Sequence, residues 1–426
     1  VLELKRSTVS VAEGIRQNLS NQQPEFHEWF FSTVQILFAG NDAEGLRYGA
    51  IKTEEKYYLT WKEDDADDEG YKLDKYLEKM CRKERLLEII HDFVLFDGGY
   101  KKLPRAHQYF GVKAAQEAVR ERRSGIIWHT QGSGKSIAMV LLARWILENN
   151  PQARIAVITD RDELDKQIER VFRDVGESIQ RAASGADLMR KLERPLPRLF
   201  CSLIHKFGKQ ECDDFEAFLA ELKAQPSKTV GEVFVFVDEC HRTQSGKLHQ
   251  LMRAMLPGTV FIGFTGTPLL LQDRKTTLEV FGGSRTYIHT YKFAEAVEDE
   301  VVLDLVYEAR DIDQRLNSQD RIDAWFESRT KGLNKWQKAK LKEEWGTMQK
   351  VLSSRSRMEK IVNDIVFDFG TKPRLSDERG NAILVASSIH EACRYYVLFQ
   401  QTAFRNRCAV ITSYNPNVLV VTKEEV

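Results

Sequence analysis

The 426-residue chain has no long hydrophobic run, no paired cysteine motif and no excess of either charge. Its most apolar windows, such as Val233 to Val237, fall far short of the ~20 residues a membrane helix needs. No signal-peptide pattern opens the chain. The six cysteines stand at 81, 201, 212, 240, 393 and 408 with no C-x-x-C spacing. In a chain this long they read as reduced thiols, which excludes a disulfide scaffold and a thiolate zinc site. Sixty-three Lys and Arg balance sixty-three Asp and Glu. The balance neither requires nor excludes a nucleic-acid partner, since local patches decide that. There is no internal repeat and no low-complexity segment. What remains is a cytoplasmic enzyme of two to three domains.

The pattern predicts an α/β fold. Val1 to Lys5 alternates as a strand, and residues are expected upstream of it. Residues 28–38 and 46–61 read as further strands, 62–69 as an acidic loop, and 71–96 as helical. From 106 to 300, β-branched apolar runs at 126–128, 155–159, 199–204, 233–237 and 260–264 alternate with amphipathic segments, the signature of a doubly wound parallel sheet. Residues 311–369 read as helical, 381–387 as a buried strand and 389–401 as a helix. That last pair opens a second α/β domain, expected to be cut short at Val426.

Three segments carry chemistry. Thr130 to Ser136 (T-Q-G-S-G-K-S) lies between a strand and a helix. Gly132 and Gly134 permit a tight turn that aims backbone N–H groups at phosphate oxygens, Thr130 and Ser133 complete the loop, and the helix N-terminus adds its positive end. Lys135 suits the β- and γ-phosphates of ATP, and the Ser136 hydroxyl suits Mg²⁺. The short form of the loop, without the usual leading glycine, is typical of helicase-like motors. Next, an apolar strand delivers Asp238 and Glu239 to its carboxyl end. Asp238 is suited to hold Mg²⁺ and Glu239 to polarise the attacking water. Third, Phe261 to Pro268 ends a strand in Thr265 and Thr267, whose hydroxyls suit a network linking the nucleotide to bound nucleic acid. At the chain start Glu3 and Lys5 share one face of a strand, a pair that suits a metal ion, held by Glu3, and a phosphodiester.

In this order, Q-G-S-G-K-S, D-E-C-H and T-G-T-P resemble motifs I to III of superfamily 2 helicases and translocases. The match is closer to the restriction and motor subunit of type I restriction-modification enzymes, across about 105–300. The resemblance implies the C-terminal part of a PD-(D/E)xK nuclease-type α/β domain plus a helical linker over 1–104, a RecA-like motor lobe over 105–300, and a helical insertion plus the start of a truncated second lobe over 301–426. It makes Glu3 and Lys5 the second half of the nuclease motif. The family's following Q-x-x-x-Y element is incomplete, since Gln17, Gln22 and Gln23 all lack the tyrosine. It assigns Gln108 to adenine, and Asp160, Arg161 and Lys206 to the DNA side. His241 and Arg242 would couple hydrolysis to the second lobe. The implied activity is ATP-dependent translocation on double-stranded DNA coupled to cleavage, with ATP and Mg²⁺ as cofactors. Methyltransferase and specificity subunits are the implied partners, with no membrane. Lys101, Lys102, Arg120, Arg122, Arg123, the lysines of 331–342, Arg355 and Arg357 are the basic candidates for phosphate contacts. The alternatives are a superfamily 2 remodelling ATPase without a nuclease, and a nucleotide-switched assembly module.

Overall fold

The computed structural model describes residues 1–63, 70–159, 162–183, 185–203, 229–240, 256, 258–267, 287–310, 327–328, 330–338, 340, 355–372, 375 and 380–412. They fall into two compact units, Val1–Leu305 and Val306–Val426.

The first unit opens with β1 (Leu2–Leu4), α1 (Val11–Asn21), α2 (Glu28–Phe31), β2 (Leu37–Asn41), β3 (Gly45–Gly49) and β4 (Leu59–Thr60). These strands form a sheet in the order β1-β2-β3-β4. β1 runs parallel to β2, and the other pairs are antiparallel. The expected strand over 28–38 is corrected. Its aromatic residues suggested a strand, but Glu28–Phe31 closes one helical turn that buries only Phe31, and the strand begins at Leu37. Packing, not β-propensity, decided the segment.

Helices α3 (Lys72–Cys81) and α4 (Lys83–Glu88) follow, continued by a π-helical turn over Ile89–Phe93. Strands β5 (Leu95–Asp97) and β6 (Tyr100–Lys102) make a hairpin whose two-residue loop, Gly98 and Gly99, has positive φ at both positions, as the twist of a tight hairpin demands. Trp61 is fully buried between the two halves of this unit. Its ring lies 6.1 Å from that of Tyr48 in β3, and 5.4 and 5.6 Å from those of Tyr109 and Phe110 in the helix that follows. The small sheet and the large one described next therefore share one continuous core.

The large sheet is built from α5 (Ala106–Arg120), β7 (Gly125–His129), α6 (Lys135–Asn149), β8 (Ala153–Thr159), α7 (Asp162–Asp174), β9 (Gln180–Arg181), α8 (Gly185–Leu192), β10 (Leu199–Leu203), β11 (Glu232–Asp238), β12 (Val260–Thr265), β13 (His289–Tyr291) and α9 (Phe293–Glu298). The strand order is β13-β7-β12-β11-β8-β10-β9, and every pair is parallel. All seven residues of β8 and all six of β12 are buried. Helices cover both faces, so these strands read as continuous apolar runs rather than alternating ones. This is the doubly wound α/β sheet the sequence predicts.

One buried cation braces the start of β8. Arg154 in β8 is 2% exposed and donates to the backbone oxygens of Leu192, Val230 and Pro197 at 2.7, 3.3 and 3.1 Å, and also to that of Lys191. Leu192 and Lys191 are the last residues of α8, where carbonyls lack helical partners. Arg154→Met is expected to cost on the order of 3 kcal/mol, because it strands several buried acceptors at once. Urea denaturation checks this, and a cost below about 1 kcal/mol would mean that water replaces the guanidinium.

In the second unit, α10 (Arg355–Thr371) and α11 (Ile389–Phe399) pack through Met358, Val362, Tyr395 and Phe399. The helical expectations for 358–369 and 389–401 agree with these helices. The strand expected over 381–387 does not form. Ile383 and Val385 are 91% and 85% exposed. A strand requires a neighbour's hydrogen-bond ladder, and none pairs with this segment among the described residues. Cys81, Cys201, Cys240, Cys393 and Cys408 are free thiols. Among the described residues no helix is long and apolar enough to cross a membrane.

Candidate functional site

β7, β12 and β11 are neighbours, and Thr265 registers with Trp128 as Asp238 does with Phe264. Their carboxyl ends therefore deliver Thr130–Ser136, Thr265–Thr267 and Asp238–Glu239 to one edge, where open α/β sheets bind ligands.

The loop after β7 owes its shape to glycine. Gly132 and Gly134 have φ of 81° and 85°, a region closed to most L side chains. The N–H and Oγ–H of Ser133 both return to the Thr130 carbonyl, at 3.3 and 2.6 Å. Gly134 is the N-cap of the fifteen-residue α6, whose first residues are Lys135 and Ser136. A loop with two glycines at a long helix's N-terminus, followed by an ammonium and a hydroxyl, fits a magnesium-bound polyphosphate.

Glu239 follows β11 with φ of 47°, a conformation uncommon outside glycine and asparagine. Glu239 Oε1 lies 3.8 Å from Lys135 Nζ, and both side chains are largely buried. The third strand end closes over this pair. A β-carbon on Gly266 would lie 2.8 Å from Lys135 Nζ and 2.7 Å from Gln131 Cγ, so a side chain there would push both of these side chains aside. The neighbouring Cys240 thiol is pushed up, first by burial and then by the Glu239 and Asp238 carboxylates. That keeps it protonated and unreactive.

The other expected residues fall differently. Gln108 packs against the loop. Its Oε1 accepts from the Arg105 N–H at 3.0 Å, and its Nε2 donates to the Ser133 and Gly134 carbonyls at 3.1 and 3.2 Å. Both ends of the amide thus contact backbone. Thr265 is fully buried, and its hydroxyl donates to Thr267 O and accepts from Thr267 N–H within the same turn. Asp160, Arg161, Lys206, His241 and Arg242 lie outside the described residues. Several basic candidates are paired on the surface: Lys102 with Asp97, Arg120 with Glu117, Arg122 with Glu232 and Arg123 with Glu121. Lys101 donates to Val34 O and to Gln35.

The structure places residues at the nucleotide loop that the sequence did not single out. His107 Nε2 bonds Ser133 O at 2.9 Å, and its ring stacks on Tyr291 at 3.8 Å and 8°. His129, at the end of β7, meets His289 of β13 at 2.9 Å between Nε2 and Nδ1. The only sequence signal was His107 standing beside Gln108. The strand His289–Tyr291 is too short and polar to be read as one.

At the other end of this unit, Glu3 and Lys5 do share a face. Lys5 Nζ donates to Glu3 Oε1 at 3.2 Å and also to Gln17 Oε1. α1 comes this close because Gly14 carries no side chain: a β-carbon there would be 3.3 Å from that of Ala39. Of the three glutamines considered, Gln17 is the one at Lys5. Gln22 instead bonds Asn18 O and Lys52 N–H, and Gln23 bonds Leu19 O. Among the described residues no group of three His, Cys, Asp or Glu forms around Glu3. Glu3 therefore offers one carboxylate, and a metal ion held there would need further ligands.

The SWI2/SNF2 ATPase family model matches residues 107–339. The chain is 29% identical to the putative type I restriction enzyme MjaIXP endonuclease subunit of Methanocaldococcus jannaschii, over 90% of this chain and 39% of that protein. It is 30% identical to the type I restriction enzyme HindI endonuclease subunit of Haemophilus influenzae, over 91% of this chain and 38% of that protein. The chain thus spans about two fifths of the length of these curated relatives. Among solved structures, the Sulfolobus solfataricus SWI2/SNF2 ATPase core in complex with dsDNA aligns at 11% identity with a TM-score of 0.33, over 74% of this chain and 59% of that one.

Proposed function

Because this chain belongs to the SWI2/SNF2 ATPase family, we propose that it is the motor and nuclease part of a type I restriction enzyme. In this reading it hydrolyses ATP to translocate double-stranded DNA in the cytoplasm. It works in a complex with methyltransferase and specificity subunits, and cleavage is coupled to that motion. The observation that carries the motor reading is the meeting of Lys135, Glu239 and Gly266 at three adjacent strand ends. The likeness to the two restriction subunits over nine tenths of the chain supports the rest.

The roles follow from position. Thr130, Gly132, Ser133 and Gly134 shape the loop that cradles the phosphates, and Lys135 neutralises the β- and γ-oxygens. Ser136 and Asp238 are the residues to hold Mg²⁺, which when bound supplies charge neutralisation at the transferring phosphoryl group. Glu239 orients and polarises the attacking water. Gln108 holds the loop. Thr265 and Thr267, with Asp160, Arg161, Lys206, His241 and Arg242, are assigned to DNA contact and coupling. Phosphate contacts dominate in a protein that must travel over any sequence, so the choice of site belongs to a partner. Glu3 and Lys5, with Gln17 beside them, are assigned to the nuclease face. The second reading, a remodelling ATPase that moves DNA without cutting it, differs from the first in leaving Glu3 and Lys5 a plain surface pair.

The test is a reconstituted complex assayed for triplex displacement and for cleavage of a one-site DNA circle. Lys5→Ala is expected to abolish cleavage and to leave displacement within about twofold of wild type. Displacement by a wild type that never cuts would establish the second reading. Loss of displacement in the Lys5 variant would sink the division into two modules.

A further inference from the structure

The nucleotide loop is gripped from behind by the first turn of α5. Two adjacent side chains, His107 and Gln108, converge on one carbonyl, Ser133 O, and Gln108 also takes Gly134 O. In a planar trans peptide the N–H points opposite to the C=O. Tying Ser133 O to α5 therefore turns the Gly134 N–H away from α5, and tying Gly134 O does the same for the Lys135 N–H. Those N–H groups belong to the turn that faces a bound phosphate.

His107 holds its place through a second contact. It is buried, and its imidazole lies flat on Tyr291 with ring centroids 3.8 Å apart. Tyr291 is fixed at both ends. Its carbonyl accepts from the Thr130 N–H at 2.9 Å, and its hydroxyl donates to Asp299 at 2.8 Å. Asp299 in turn accepts from Lys62 at 3.2 Å. A carbonyl can only accept, so the His107–Ser133 bond requires the proton on Nε2. We propose that His107, clamped by Tyr291, is a positioning residue that aims the phosphate-loop amides before nucleotide arrives, so that less reorganisation accompanies binding and hydrolysis. The proposal rests on the reading of Thr130–Ser136 as the triphosphate loop.

Two substitutions at one position separate this role from simple packing. His107→Phe keeps a flat ring on Tyr291 and loses the donor. His107→Gln loses the ring and offers an amide N–H to Ser133 O. Positioning ranks glutamine above phenylalanine in MgATP affinity, while packing ranks them the other way. Isothermal titration of the whole chain with MgATP is expected to show about a tenfold loss for His107→Phe, equivalent to about 1.4 kcal/mol, and recovery to within about threefold for His107→Gln. Equal affinity for wild type and His107→Phe, or a phenylalanine variant that binds better than the glutamine one, would overturn the proposal. Nitrogen NMR of the wild type gives a measurement independent of any variant: His107 is expected as the neutral Nε2–H tautomer at pH 7, and an Nδ1–H tautomer would also overturn it. Lys135→Ala is the control. If it leaves MgATP binding intact, the reading of the loop has failed. If it abolishes binding while His107→Phe does not change it, only the positioning role has failed.

Discussion

Glu239→Gln is expected to bind MgATP at least as tightly as the wild type and to lose about 10²–10⁴ in turnover, the span typical of a removed general base. The substitution keeps the side chain's shape at a strained backbone position, φ 47°, and deletes only its charge. In the structure that charge faces Lys135 Nζ at 3.8 Å. With the carboxylate neutralised, one anion facing the ammonium no longer competes with phosphate, so affinity holds or rises while the water loses its base. Lys135→Ala inverts the pattern. It removes the cation from the loop and leaves Glu239 facing the phosphates, so binding itself is expected to fail and turnover with it. Titration with MgATP followed by single-turnover hydrolysis, in the complex that gives full activity, separates the two. A Glu239→Gln enzyme within about threefold of wild-type turnover would remove Glu239 from the chemistry. Tight binding by Lys135→Ala would remove the loop from the phosphates.

The parts of this site that could be read in the sequence are those whose physics is local. Gly132 and Gly134 are needed by their own backbone angles, and Lys135 and Ser136 by the helix they open, so seven consecutive residues carry the loop. β8, β11 and β12 were legible because a strand covered on both faces is apolar throughout. The rest depends on partners far away in the chain. β13 consists of His289, Thr290 and Tyr291, with no apolar run to betray it. It is a strand because it registers with Ile127 to His129 of β7. Gln108 carries an amide wherever it stands, and its bonds to Ser133 O and Gly134 O follow only from the approach of α5 to the loop. Trp29 to Phe31 and Ile383 to Val385 mislead in the same way, since aromatic and β-branched residues favour strands only where a neighbouring strand offers its ladder. Gln17 could not be told from Gln22 and Gln23 by spacing alone, because the crossing of α1 over β1 at Gly14 is what brings it to Lys5.

Acid is expected to destabilise the first unit through the three histidines around this loop. His107 and His129 are buried edge to face, with centroids 5.4 Å apart, and His129 and His289 lie 5.1 Å apart. α5 rests directly on His129: a β-carbon on Gly111 would be 2.7 Å from its Cε1. Burial pushes His107 down to about 4, with Arg105 and His289 acting in the same direction, while the Ser133 carbonyl and Asp299 oppose. His129 is lowered further by burial, by the other two histidines and by Lys135. His289 is lowered by burial against the opposing Glu295. The folded state thus holds these rings neutral, whereas the unfolded chain protonates them below the ordinary value of 6.5. Between that value and about 4 the unfolded state binds more protons, so stability is complete above pH 6.5 and falls as the pH drops. His107 alone corresponds to roughly 2 kcal/mol by pH 5 and roughly 3 below pH 4, and its neighbours add in the same sense. The urea midpoint of the chain is expected to fall steeply from pH 7.5 to pH 5. His107→Gln, which has nothing to titrate there, should show a shallower fall by about the His107 share. Parallel pH profiles for wild type and variant would assign the acid sensitivity to carboxylates elsewhere and leave the histidine cluster without a thermodynamic role.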